Sequence, residues 1–147
     1  MPMVPYAFSK LASEQYAMAY APCYDLEVLP FRFFNVFGGQ MPGHAYAVVI
    51  PVFVDDALGG LPLPVNGDGH KTRDSTFVGT SVETLAQAFK NRVTAPPMDL
   101  AFGTRTTLNE LIRLIEEQQG TVVDVRYREP RLGDVPHSQA DSSRPQP

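Results

Sequence analysis

Tryptophan is absent from this chain of 147 residues, and cysteine occurs once, as Cys23. A lone thiol cannot close an internal disulfide. With no second Cys or His at ligand spacing it also builds no zinc site, so a reducing compartment is the simplest setting and no metal is expected. Basic residues are few: 12 Lys and Arg stand against 16 Asp and Glu, for a formal net charge of -4. They are scattered along the chain and form no basic face of the kind that releases counterions from nucleic acid, so DNA and RNA are not expected partners. Long apolar runs are also missing. The most hydrophobic stretch, Val48 to Val54, is short and broken by Pro51, far below what crosses a bilayer. Ala17-Met18-Ala19 has the small-residue spacing of a signal-peptidase site, but Lys10 and Glu14 interrupt the apolar core such a signal needs. The expectation is a soluble, cytoplasmic protein with no membrane partner.

What remains is a composition that is 44% hydrophobic and 19% charged, enough for one core, so residues 1–147 are read as a single unit. Fourteen prolines and eleven glycines fall between periodic segments as punctuation and build no repeat. Tyr6 to Tyr20 is rich in Ala, Leu, Met, Glu and Gln and reads as a helix, which Pro22 should end or kink. Glu27 to Phe37, closed by Gly38-Gly39, reads as a buried strand of a parallel sheet. A loop from Gly38 to His44 leads to a helix near Val49 to Leu58, stopped by Gly59-Gly60, and short strands follow between Leu63 and Val78. Thr80 or Ser81 can cap a helix with Val82, Leu85, Ala86 and Phe89 on one face, ending near Arg92. Met98 to Phe102 is a short strand. Thr107 and Glu110 form a capping box for Leu108 to Gln119, Gly120 stops that helix, and Thr121 to Tyr127 is strand-like. Alternating helices and strands indicate an α/β fold.

Tyr6 and Lys10 stand four residues apart, hence on one face of the first helix. A phenol is a poor base at neutral pH unless a positive charge favours the phenolate, and Lys10 can supply that charge. The pair alone is weak, since a solvated lysine beside a core tyrosine has the same spacing. Its surroundings are more specific. Pro5-Tyr6-Ala7-Phe8-Ser9-Lys10-Leu11-Ala12-Ser13-Glu14 resembles the active-site helix of the extended short-chain dehydrogenases, the NAD-dependent epimerase/dehydratase family, particularly its UDP-glucose 4-epimerase branch. Arg32-Phe33-Phe34-Asn35-Val36-Phe37-Gly38, Val48-Val49-Ile50-Pro51, Gly67 to Asp74, Arg131 to Val135 and Ala140 to Arg144 are similar to further blocks of that family, in its order and over nearly the whole chain.

The resemblance implies the carboxy-terminal part of a Rossmann-like parallel sheet with its helices, plus a small substrate-binding lobe. It implies NAD as cofactor and a nucleotide sugar, most simply a UDP-sugar, as substrate. By the same resemblance Tyr6 is the general acid/base at the sugar hydroxyl, and Lys10 holds the nicotinamide ribose. Phe34 offers a backbone contact to nicotinamide. Asn35, Val49 and Val65 contact the substrate, Arg73 and Arg131 clamp the diphosphate, and Asp134 accepts from the ribose hydroxyls. Planar guanidinium forks suit a diphosphate on physical grounds as well. Asp141, His44, His70 and His137 are read as structural or solvated.

The sequence departs from the family in several places. No strand, glycine-rich turn and helix open the chain to hold a cofactor pyrophosphate, since Gly67-Asp68-Gly69 has Thr72 where a third glycine belongs. The family's serine or threonine partner of the tyrosine is also missing, Asn66 stands where an aromatic ring often lies beside the base, and Gly79-Thr80-Ser81 replaces a usually acidic stretch. Pro30 interrupts an expected interior strand. The chain is therefore expected to be a truncated product, a fragment or one half of a split enzyme, inactive alone. It is expected to self-associate through an open sheet edge or a homodimer, or to pair with a complementing amino-terminal half. A 4,6-dehydratase or reductase half, and a non-catalytic remnant that binds sugar nucleotides, are the alternatives.

Overall fold

The computed structural model describes residues 4–39, 49–131 and 134–141. His44, Val48, Leu132-Gly133 and Ser142-Ser143-Arg144, all named above, lie outside the described residues. The fold is α/β, with parallel strand pairs and four helices.

Helix α1 (Pro5–Tyr24) starts with proline in its first turn, where the missing N–H has no partner to lose. Pro22 does not end it: the helix runs on to Tyr24 and stops at Asp25, which adopts a left-handed φ of 52° and donates its N–H to the Ala21 carbonyl. Pro22 lies in the last turn, so its missing N–H removes one terminal bond and leaves the ladder before it intact. No residue of α1 is buried.

The single buried strand expected over 27–37 is instead two short ones, β1 (Phe31–Phe33) and β2 (Asn35–Phe37). They divide at Phe34, where Val36 donates its N–H back to the Phe34 carbonyl at 3.1 Å in a three-residue turn. The break lets the segment change partners. β1 runs parallel to β6 (Met98–Leu100), and β2 runs parallel to β5 (Ser75–Phe77). Among the described residues β1 pairs on one edge only, and Arg32 and Phe33 are exposed. Pro30 does not interrupt a ladder, because the strand begins after it and its carbonyl accepts the Met98 N–H at 3.0 Å.

The core lies in the other part of the molecule. Helix α2 (Val49–Leu58), strand β3 (Leu63–Asn66), helix α4 (Leu108–Gln119) and strand β8 (Val125–Arg128) enclose Phe53, Leu63, Val65, Ile112 and Ile115. β3 and β8 pair in parallel from Leu63 with Val125 to Asn66 with Arg128. The apolar positions Leu108, Leu111, Ile112 and Ile115 follow the i, i+3, i+4, i+7 period that turns one stripe of α4 inward. The capping box is formed as expected: Thr107 Oγ1 accepts the Glu110 N–H, Glu110 accepts the Thr107 N–H, and Gly120 ends the helix at a φ of 68°.

Helix α3 (Val78–Lys90) differs from expectation at its start. It begins before Thr80 and Ser81, with Phe77 at the N-cap and no side-chain cap. Ser81 is therefore inside the helix, its buried hydroxyl without a hydrogen-bond partner among the described residues. Its apolar face is largely exposed: Val82 is 58% exposed and Phe89 87%. Strand β4 (Thr72–Arg73) pairs antiparallel with β7 (Thr106–Thr107). Among the described residues no helix is long and apolar enough to cross a membrane, and no group of three or more His, Cys, Asp or Glu could hold a metal ion.

Candidate functional site

Because α1 begins at Pro5, Tyr6 and Lys10 occupy its first two turns on one face. Lys10 Nζ stands 5.4 Å from the centroid of the Tyr6 ring, a cation–π distance. Both open onto a groove of about 810 Å³ between α1 and β1, which Leu11, Glu14, Phe31 and Phe33 also line. An ion pair fixes the groove's shape where burial does not: Arg32 donates from Nε and Nη2 to the two Glu14 carboxylate oxygens at 2.7 and 2.8 Å. The hydrogen-bonded guanidinium holds the Glu14 carboxyl below its ordinary value. Tyr6 is 70% exposed, so its hydroxyl is accessible to a ligand lying in the groove.

Phe34 and Asn35 follow at the end of β1. The Asn35 N–H and its side-chain Nδ2 both donate to the Asp74 carbonyl, at 3.1 and 3.2 Å. These two hydrogen bonds to one acceptor fix the amide. Val49 is half-buried at the start of α2. Val65 is fully buried in the core, so the structure does not bring its side chain to a surface, and only its main chain can meet a ligand.

A second polar cluster forms around Asp134. Its carboxylate accepts Arg73 Nη2 at 2.9 Å and Lys71 Nζ at 2.7 Å, with the three side chains 15–27% exposed. Arg73 Nη1 is engaged by the carbonyls of Thr72 and Val135 at 2.9 and 2.8 Å, which leaves Nε–H without a bond among the described residues. Arg131 is exposed, and its carbonyl accepts the Asp134 N–H at 3.3 Å. The expected pair of arginines thus flanks Asp134, Arg73 through its side chain and Arg131 through its carbonyl. Lys71 was missed. Its signal was the two-residue spacing to Arg73, which puts both on one face of an extended segment. His137, read as structural or solvated, pairs its Nδ1 with Thr72 Oγ1 at 3.0 Å.

The turn Gly67-Asp68-Gly69 is packed against α4. Gly67 and Gly69 have positive φ, 92° and 78°. Asn109 donates from its backbone to Gly69 O and from Nδ2 to Asp68 O, both at 3.2 Å, and its side chain fills the space a Cβ on Gly69 would need. The His70 N–H donates to the Asp68 carboxylate and holds that carboxyl below its ordinary value. Closed in this way, the turn orients Lys71 and Arg73.

Residues 1–102 match the model of the NAD dependent epimerase/dehydratase family. The UDP-glucose 4-epimerase of Mycolicibacterium smegmatis is 32% identical over 143 residues, covering 97% of this chain and 46% of the relative. Among solved structures, the UDP-N-acetylglucosamine 4-epimerase of Methanobrevibacter ruminantium in complex with UDP-N-acetylmuramic acid is 32% identical with a TM-score of 0.90, again over 97% of this chain and 46% of that one. The UDP-glucose 4-epimerase of Thermus thermophilus in complex with NAD is 30% identical with a TM-score of 0.85, over 96% and 46%. The chain therefore spans about half the length of the proteins it is similar to.

Proposed function

Because this chain belongs to the NAD dependent epimerase/dehydratase family, we propose that it is the catalytic and substrate-binding half of a UDP-sugar 4-epimerase that works together with a cofactor-binding portion. The carrying observation is the Tyr6 and Lys10 pair on an open groove, in a chain whose fold follows UDP-sugar epimerases at a TM-score of 0.90. In this reading Tyr6, as phenolate, takes the proton of the sugar C4 hydroxyl and, as phenol, returns it, and Lys10 orients both the phenol and a ribose. Asn35, fixed by two bonds to Asp74 O, meets the substrate. Arg73 and Arg131 hold the diphosphate, and Asp134 accepts from a ribose hydroxyl.

The residues present fit part of a nicotinamide dinucleotide. A phenol and an ammonium on one helix face suit a ribose next to the groove, whereas no glycine-rich turn in the chain suits the pyrophosphate. Bound in that groove, NAD would supply the hydride acceptor. The rest of its site must come from further polypeptide, whether in the same chain or another. The unburied α1, with Phe8 51% and Tyr16 68% exposed, and the single-edged β1 are surfaces for that portion or for a second copy.

A dehydratase reading has its own support: the dTDP-glucose 4,6-dehydratase of Xanthomonas campestris pv. campestris is 39% identical over 84 residues, though these are 57% of this chain and 23% of that protein. Calorimetric titration of the chain with UDP-glucose and, separately, with NAD+ tests the proposal. UDP-glucose should bind and NAD+ should not. Absence of UDP-glucose binding, or NAD-dependent turnover by this chain alone, contradicts it.

A further inference from the structure

Asp74 lies between β4 and β5 and is fully buried, at 0% exposure. No cation pairs with it among the described residues. Instead its carboxylate accepts four neutral donors from two separate segments. Oδ2 accepts the Gly103 N–H at 2.9 Å and the Ala140 N–H at 3.2 Å, while Oδ1 accepts the Phe102 N–H at 3.3 Å and Thr104 Oγ1 at 3.5 Å. Gly103 takes a φ of 73° to present its N–H, a backbone state that other residues rarely adopt. A buried carboxylate is strongly disfavoured unless its lone pairs are satisfied, so this pocket holds the two segments to it in one geometry.

The main chain of the same residue reaches both parts of the candidate site. Its carbonyl accepts both donors of Asn35, and its N–H donates to Ser138 O at 2.9 Å. From Ser138 the alignment continues backward. Ser138 N–H donates to Thr72 O, Thr72 N–H donates to Pro136 O, and Arg73 reaches Val135 O and Asp134. Asp74 thus touches the Asn35 strand, the 102–104 loop and the 134–140 segment at once.

We propose that Asp74 is a positioning residue of the sugar-nucleotide site: its carboxylate fixes the peptide that aims Asn35 and keeps the Asp134 segment in register with Lys71 and Arg73. The inference rests on the site assignment proposed above. Asp74→Asn has the same shape but turns an NH₂ toward two of the four donors, so half of the pocket is lost.

The test is made on the 147-residue chain with UDP as the probe, under conditions where circular dichroism shows both wild type and D74N folded. UDP should bind D74N about tenfold more weakly or worse, the loss expected when a charge-assisted contact goes out of alignment. Amide hydrogen exchange should rise by about tenfold at Asn35 as well as at Gly103 and Ala140, although the carbonyl bonded to Asn35 is unchanged by the substitution. A residue with only a structural role lowers the melting temperature and leaves the Kd of the folded protein and the Asn35 exchange rate alone, and that result overturns the proposal. If D74N does not fold, wild-type exchange decides: Asn35, Gly103 and Ala140 should open as one unit, and independent opening of Asn35 overturns it. Failure of wild type to bind UDP defeats the site assignment, while the exchange pattern separately decides the coupling.

Discussion

Replacing Phe53 with Ala and, separately, Leu11 with Ala compares the two parts of the molecule directly. Phe53 is 1% exposed and packs with Leu63, Val65, Ile112 and Ile115. Truncating such a ring removes its burial and leaves a cavity, at a cost of about 3–5 kcal/mol. Leu11 is 40% exposed on a helix with no buried residue, so its truncation forfeits only a fraction of a side chain's burial, about 1 kcal/mol or less. At roughly 2–4 °C per kcal/mol for a chain of this size, Phe53→Ala should lower the melting temperature by about 6–20 °C and Leu11→Ala by no more than about 4 °C. Thermal melts followed by circular dichroism, with urea titrations to check that the m-value is unchanged, measure both. Equal losses would refute the reasoning, because α1 would then be packed into a core from which the fold described here leaves it out.

Arg73→Ala should weaken UDP-sugar binding by about 1.5–3 kcal/mol and also lower stability, because it leaves Asp134 with Lys71 alone and takes the guanidinium donor from the Val135 carbonyl. Arg131→Ala should weaken binding on the same scale but leave stability unchanged, since that side chain is exposed; calorimetry and melts on the same samples separate the two effects. The Glu14 and Arg32 pair gives a pH dependence with a definite sign. The folded Glu14 carboxyl is lowered, so its contribution is fully present above the unfolded value of about 4.3 and is lost as pH falls through the lower folded value. With Arg32 53% exposed, it amounts to no more than about 1 kcal/mol. Melts of wild type and Glu14→Gln should differ at neutral pH and converge as the pH falls below the lowered folded value.

Much of the lobe was legible from local chemistry. The capping box at Thr107 and Glu110 and the stops at Gly59-Gly60 and Gly120 depend on backbone rules that act within a few residues, and the structure carries them out. The strand over 27–37 was not, because its division at Phe34 follows from which partner each half finds, Met98–Leu100 or Ser75–Phe77, a long-range matter. Period alone does not report burial either: Val82 and Phe89 share one face of α3, yet both are exposed. Within the candidate site, helical spacing put Tyr6 and Lys10 on one face, and the roles proposed for them rest on the resemblance of the residues around them. Lys71 and Asp74 were passed over, because a lysine beside a glycine turn looks solvated and a buried aspartate is recognised only by the distant N–H groups that surround it.

The most direct test of the central claim is reconstitution. The chain is mixed with a separately expressed amino-terminal segment of the Mycolicibacterium smegmatis UDP-glucose 4-epimerase, and interconversion of UDP-glucose and UDP-galactose is measured with NAD+ present. Orientation of a held cofactor against a catalytic group can account for about 7–11 kcal/mol of an enzyme's rate enhancement, so the assembled halves should turn over while each alone does not, and Tyr6→Phe in this chain should abolish the activity. Epimerisation that persists undiminished with Tyr6→Phe, or that this chain performs by itself, would contradict the account.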